Sequence, residues 1–262
     1  MRTDLVSEPG DATRPNEDFA GVGLPASGQG GCVVVLDGVT SPSGGTGCLH
    51  SVPWFTARLG GTLTELTVSG RDLTLPEILA RAIRRTADAH ADTCDLSHPR
   101  TPQATVALAR WSAAEVEYLV LCDSALLLRG PDGAVIAVLD DRLARLPRSA
   151  LASDAVVDAH VRNKEGGFFT AAADPAVAAR AVTGVLPRDA VRALAALTDG
   201  ATRWTETFGE GDWTALFDVV AEEGARSLVE RVRELEAADR EERVFLGRGK
   251  THDDATVVYA EL

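Results

Sequence analysis

Asp37, Asp123 and Asp199 share one setting in this chain, and Asp253 mirrors it. Asp37 closes the apolar run CVVVLD and is followed by Gly38. Asp123 closes YLVLCD ahead of Ser124, Asp199 closes ALAALTD ahead of Gly200, and Asp253 and Asp254 stand just before ATVVY. A carboxylate at the mouth of an apolar strand sits on rigid backbone, and several such mouths can converge on one point. A turn glycine beside them lets backbone come close to a ligand. Converging carboxylates repel one another unless they are protonated or bind cations. Their hard oxygens select Mg²⁺ or Mn²⁺ over zinc. Two such ions about 3.5–4 Å apart lower the pKa of a water between them and clamp a phosphoryl group for in-line attack. That chemistry needs no protein nucleophile, and the chain offers no GxSxG serine. A single Asp-Gly is ordinary turn chemistry, and Asp132-Gly133 is read as only that. The repetition and order of the others carry the argument.

These aspartates need strands to position them. Short apolar runs occur at Cys32 to Asp37, Ala104 to Trp111, Val116 to Asp123, Ala125 to Gly130, Ala134 to Asp140 and Ala255 to Leu262, separated by turn residues. Pro131-Asp132-Gly133 is a hairpin signal, and the break at Asp123-Ser124 reads as another. The stretch from Ala104 to Asp140 is therefore expected to be an antiparallel meander. Val191 to Asp199 is rich in alanine, but its end matches the other Asp-terminated runs, so it is read as a strand.

Helices are expected from Thr74 to about Asp92, opened by a Thr74/Glu77 capping box, and from Asp174-Pro175 to Gly184. A C-terminal pair should span Asp212 to about Glu223 and Ser227 to about Arg240. Strand-rich stretches between helices, with few βαβ units, indicate an α+β layered architecture. No repeat or linker divides residues 1–262, which are taken as a single domain.

The formal net charge is −13. A nucleic-acid binder would carry a basic patch, so nucleic acid is not an expected partner. No apolar run reaches the roughly 18 residues of a membrane span, and the first residues have no apolar signal region. A cytoplasmic location and no membrane partner are expected. Cys32, Cys48, Cys94 and Cys122 have no CxxC spacing, and the five histidines form no HxxxH pair. Neither a thiolate zinc site nor a disulfide framework is expected.

RPNED (Arg14 to Asp18), VVVLDG (Val33 to Gly38), VLCDS (Val120 to Ser124), LTDG (Leu197 to Gly200) and DDATVV (Asp253 to Val258), in that order, resemble the metal-dependent PPM-type (type 2C) serine/threonine protein phosphatases. The stretches GGFFTAAADP and ALTDGATR look like a bacterial, actinobacterial-like branch. The resemblance covers nearly the whole chain. It implies a four-layer α-β-β-α sandwich, two antiparallel β-sheets flanked by helices. It implies two Mn²⁺ or Mg²⁺ ions and a weaker third. Asp37 would bridge the pair, the Gly38 carbonyl would help hold one ion, and Asp199 and Asp253 would hold the other. Glu17 and Asp18 would support the metal-bound waters, and Asp123 would belong to the third ion.

The sequence departs from the family pattern at three places. The phosphate-binding arginine is usually five residues before the aspartate of the acidic pair, where this chain has Thr13; Arg14 stands one closer and is the candidate. Val39-Thr40-Ser41-Pro42 replaces a glycine-rich continuation that in some members includes a histidine proposed as general acid, so no protein acid is assigned. The segment at Asp123 lacks the usual glycine and arginine. His252 borders the candidate ligands and could shuttle a proton or simply end a strand.

The leading reading is hydrolysis of phosphoserine or phosphothreonine in proteins. A second keeps the chemistry for a small phosphorylated metabolite, with residues 40–50 and 142–169 reshaping the mouth. A third is a non-catalytic binding module, disfavoured because such a module has no need to keep mutually repelling carboxylates.

Overall fold

A computed structural model describes residues 1–40, 45–69, 72–242 and 251–262. One sheet has the order β1 (Thr3–Glu8), β10 (Ala255–Glu261), β9 (Ala193–Leu197), β6 (Ala125–Arg129), β7 (Val135–Leu139). The other has the order β2 (Phe19–Gly23), β3 (Gly31–Leu36), β4 (Val106–Trp111), β5 (Glu115–Leu121), β8 (Val182–Pro187). Every strand pairing within them is antiparallel. Helices α1 (Val52–Ser69) and α2 (Leu75–Asp88) cover the second sheet. Helices α4 (Asp199–Glu206), α5 (Trp213–Glu223) and α6 (Ala225–Glu242) cover the first. The short α3 (Asp154–His160) packs over a small cluster beside Cys122. The result is the expected four-layer sandwich.

Strand pleating explains why the central runs are apolar throughout. Successive side chains face opposite sides of a sheet. Val33 and Val35 enter the layer between the sheets, while Val34 and Leu36 pack under α1 and α2. Leu194 and Ala196 likewise face inward, while Ala193, Ala195 and Leu197 meet the helices of the first sheet. A strand covered on both faces can bury every residue, so alternation disappears from the sequence.

Two sequence expectations need correction. Residues 104–140 are not one meander: β4 pairs with β5 in the second sheet, and β6 pairs with β7 in the first. The chain crosses between sheets at Asp123-Ser124, so that break is not a hairpin. Cys122 makes the crossing possible by adopting a positive φ of 67°, and its N–H is held by the Asp140 carboxylate at 2.8 Å. The helix expected to run to Gly184 is a 3₁₀ turn at Pro175–Arg180, and Gly184 lies in β8. The Thr74/Glu77 capping box forms as expected, as does the turn at Gly133. Val191 to Asp199 contains a strand, β9, as read.

Candidate active site

Asp37 stands just beyond β3, Asp199 just beyond β9 at the first residue of α4, and Asp123 at the crossing from β5 to β6. Asp18 precedes β2, and Asp253 precedes β10. The sandwich places these ends together. Asp37 interacts electrostatically with Asp199, Asp18 and Asp123, and Asp199 in turn with Asp123 and Asp253. The β3 end is joined to the crossing by hydrogen bonds. Thr105 donates its N–H to the Asp37 carbonyl at 2.9 Å, and its hydroxyl lies 2.5 Å from that of Ser124.

The carboxylates are electrically stressed. Burial, then the charges of Asp199, Asp18 and Asp123, push Asp37 well above the usual carboxylate range. Burial, with Asp123 and Asp253, raises Asp199 to about 6. Burial raises Asp18 to about 8, against the lowering effect of hydrogen bonds from Thr256 and Thr198. Burial also raises Asp123, with contributions from Glu206 and Asp140. Thr198 and Thr256 both donate to Oδ2 of Asp18, at 2.9 and 2.7 Å. Its buried Oδ1 has no hydrogen-bond partner among the described residues. A buried acceptor left unsatisfied is costly, so this atom is an argument for a ligand.

Not every expected ligand is equally free. Asp253 accepts from the buried Arg203 at 3.0 Å. Arg203 also pairs with Glu236, a fully buried carboxylate that meets Arg233 and His252 as well. His252 donates or accepts through Nδ1 at 2.8 Å from Glu236, so its ring is bound into this ion network. Asp254 acts as a clamp: its two oxygens accept the N–H groups of Gly10 (2.8 Å) and Glu17 (2.6 Å). It thereby holds the arm that carries Arg14, Glu17 and Asp18. Glu17 also accepts from the Thr40 hydroxyl.

The two turn glycines have steric work to do. A side chain on Gly38 would strike the Glu17 carbonyl and Val52, and one on Gly200 would strike the Asp254 carbonyl. Any larger residue would push the arm or β10 away from the cluster.

Two cavities flank the carboxylates. One of 200 Å³ is lined by Arg14, Glu17, Thr40, Ser51, His252 and Asp253, among others. Arg14 is exposed there. The second, of 320 Å³, is lined by Asp123, Asp199, Arg203 and Glu206 together with Leu143 and Ala144. Thr40, from the first segment expected to shape the mouth, lines one cavity, and Leu143 and Ala144, from the second, line the other; residues 41–44 lie outside the described residues.

Sequence reading missed Arg203, Glu206, Thr198, Thr256 and Asp140. Arg203 is four residues after Asp199, on the same helical face. Recognising α4 as a helix would have found it. The spacing argument does not keep the thiols and imidazoles apart in space. Although they lack CxxC or HxxxH spacing, Cys48, His50, His90 and Cys94 converge at a second place in the fold.

The protein phosphatase 2C family profile matches residues 11–236. The chain belongs to that family. Solved structures share its fold. The serine/threonine phosphatase PstP/Ppp of Mycobacterium tuberculosis is 18% identical with a TM-score of 0.59, over 100% of this chain and 98% of that one. The serine/threonine phosphatase Stp1 of Staphylococcus aureus is 12% identical with a TM-score of 0.58, over 99% and 94%. PppA of Pseudomonas aeruginosa, described as a regulatory component of its type VI secretion system, is 18% identical with a TM-score of 0.55, over 100% and 97%. A search of curated proteins gives no significant match. Among the described residues, no helix is long and apolar enough to cross a membrane.

Proposed function

We propose that residues 1–262 form a single phosphatase domain that hydrolyses phosphomonoesters with two Mn²⁺ or Mg²⁺ ions, acting on phosphoserine and phosphothreonine in proteins. The observation that carries this reading is the group of half-buried, mutually repelling carboxylates at four strand mouths, with one buried oxygen of Asp18 unsatisfied. The donor set is all oxygen, which suits hard divalent cations. When bound, such ions supply Lewis acidity, lowering the pKa of a water and neutralising phosphoryl charge.

Asp37 and the Gly38 carbonyl, with Asp199 and Asp253, are the ligands in this reading, and Asp123 belongs to a weaker third ion. Asp18 and Glu17, beside these ligands, would hold and orient water at the site. Their own orientation is fixed by the Thr198, Thr256 and Thr40 hydroxyls. Arg14, exposed on the rim, offers a guanidinium fork to the phosphate oxygens. Its arm is held by Asp254. Glu236 holds His252 through Nδ1, which fixes that ring at the rim of the cavity.

The test is hydrolysis of p-nitrophenyl phosphate with Mn²⁺, Mg²⁺ or EDTA, followed by phosphopeptides and a panel of phosphorylated metabolites at equal concentration. Metal-dependent turnover with kcat/KM highest on phosphopeptides is expected. Turnover that survives EDTA would overturn the metal assignment. Preference for one metabolite would overturn the protein-substrate assignment alone.

A further inference from the structure

We propose that Cys48, His50, His90 and Cys94 bind a structural zinc ion that is separate from the carboxylate site. The four side chains come from two segments about forty residues apart: a Cys-x-His pair in the loop before α1 and a His-x₃-Cys pair in the turns after α2. One candidate ligand atom from each lies within 4.8 Å of all the others. Cys48 Sγ is 3.7 Å from His50 Nδ1 and 3.4 Å from His90 Nδ1, and His50 Nδ1 is 3.4 Å from Cys94 Sγ. A tetrahedral zinc with Zn–S of about 2.3 Å and Zn–N of about 2.0–2.1 Å separates sulfur from nitrogen by about 3.5 Å. Three of the four sulfur–nitrogen edges of the site are already at about that spacing. The two sulfurs are 2.8 Å apart. That edge would open by about 1 Å to match two thiolates on zinc.

The surroundings favour thiolate ligands. The Leu49 N–H donates to Cys94 Sγ at 3.3 Å, and the His50 N–H to Cys48 Sγ at 3.4 Å. The His50 ring is stacked on Trp54 with centroids 4.0 Å apart, which fixes its plane. His90 is 3% exposed, and its Nδ1 is turned to Cys48 Sγ at 3.4 Å. A buried imidazole needs a reason to be there, and ligation supplies one. A Cys48–Cys94 disulfide is the competing use of the same sulfurs. It would leave both imidazoles, held beside the sulfurs, without a role.

Four protein ligands fill a tetrahedral zinc, so this site holds structure and offers no open position for chemistry. It cross-links the loop leading into α1 to the turns leaving α2. A hydrogen bond from the Asp95 N–H to the Gly47 carbonyl, 2.7 Å, runs beside it. Ser51 and Pro53, just beyond His50, line the same cavity as Arg14 and Asp253. The zinc would therefore fix one wall of the candidate phosphate site.

The test uses the full chain, purified without a metal-affinity tag and dialysed against metal-free buffer. Elemental analysis should find about one zinc per chain, released by an organomercurial that attacks thiolates. Cobalt(II) put in its place should show thiolate charge-transfer and tetrahedral d–d absorption. Asp37→Asn should keep the zinc, and Cys48→Ser should lose it together with a large part of the thermal stability. Should Cys48→Ser fail to fold, the cobalt spectrum of the wild-type protein decides alone. A Cys48–Cys94 disulfide in the unreduced peptide map, freely alkylated thiols without zinc, or zinc that follows Asp37 instead of Cys48 would each overturn the proposal.

Discussion

Two clusters of side chains with the chemistry to hold metal flank the α1 end of this fold, and they are built in opposite ways. The carboxylates stand at the mouths of β3, β9 and β10 and at the β5–β6 crossing, on backbone fixed by two packed sheets. Their oxygens repel one another, and the fold tolerates this with raised proton affinities. The Cys/His cluster sits in loops at helix ends, and only two of its four side chains, the cysteines, can carry negative charge. A strand scaffold can hold groups that would fly apart, whereas a loop cluster needs its ligand to hold the loops. Metal removal should therefore stop catalysis at the first site and loosen structure at the second.

The largest expected effect is at the first site. Asp37→Ala should lower Mn²⁺-dependent turnover by about 10³-fold or more, because Lewis-acid stabilisation contributes several kcal/mol and about 1.4 kcal/mol is a factor of ten. In EDTA the same variant should unfold at a temperature equal to or above wild type, since one member of the repelling set is gone. Calorimetry beside steady-state kinetics measures both. A variant that keeps near-wild-type turnover would remove Asp37 from the chemistry.

The stressed carboxylates also set a pH dependence. Asp18 and Asp199 have folded pKa values of about 8 and about 6, above their ordinary value of 3.8. Between about pH 4 and 8 the folded state thus binds more protons than the unfolded one, and stability falls as pH rises. Metal-free protein should lose melting temperature steadily across that window. Saturating Mn²⁺ should flatten the curve by replacing the protons. A metal-free melting temperature that rises from pH 5 to 8 would contradict the buried, charge-coupled arrangement.

Sequence alone made the strand scaffold legible and the loop cluster invisible, for a physical reason. A strand that ends at a site brings its aspartate with it, so CVVVLDG and ALTDG state both element and chemistry within a few residues. Cys48 and Cys94 are 46 apart, and only the packing of α1 on α2 brings them together. Helix α1 itself was missed because Gly60, Gly61 and several threonines are poor helix formers. Gly60 is there for packing: a side chain would strike the Phe19 ring. The crossing at Cys122 was hidden because a non-glycine residue with positive φ leaves no sequence mark.

Asp199 and Asp253 look equivalent in sequence, and neutralising either would be expected to relieve repulsion. The fold separates them. Asp253 holds the buried Arg203 at 3.0 Å, whereas the Asp199 pKa is raised by burial and by Asp123 and Asp253. In EDTA, Asp199→Asn should leave stability unchanged or higher. Asp253→Asn should cost about 1–2 kcal/mol, since Arg203 keeps Glu236 but loses a charged partner. Both should weaken Mn²⁺ binding by calorimetric titration. Equal stability of the two variants in denaturant melts would show that the Arg203 pair does not matter.

The finest distinction is between Asp123, where the smallest effect on turnover is expected, and Asp140. A strand-crossing aspartate has two possible jobs, to hold the turn or to hold an ion, and here they fall to different residues. Asp140 is almost fully buried, accepts the N–H of the strained Cys122 at 2.8 Å, and pairs with Arg142. It holds the crossing. Asp123 faces the 320 Å³ cavity with Asp199 and Glu206, and burial raises its proton affinity. Asp140→Ala should therefore destabilise the protein by about 1–3 kcal/mol, because a hydrogen-bonded charge is lost and a buried N–H is left unpaired. Turnover per folded molecule should be little changed. Asp123→Ala should melt in EDTA at or slightly above the wild-type temperature, and lower turnover several-fold at limiting Mn²⁺ and less at saturation. Calorimetric Mn²⁺ titration and turnover per folded molecule, measured on both variants, tell the two jobs apart. An unchanged isotherm and rate in Asp123→Ala would take Asp123 out of the metal site and leave the crossing with a single functional carboxylate, that of Asp140.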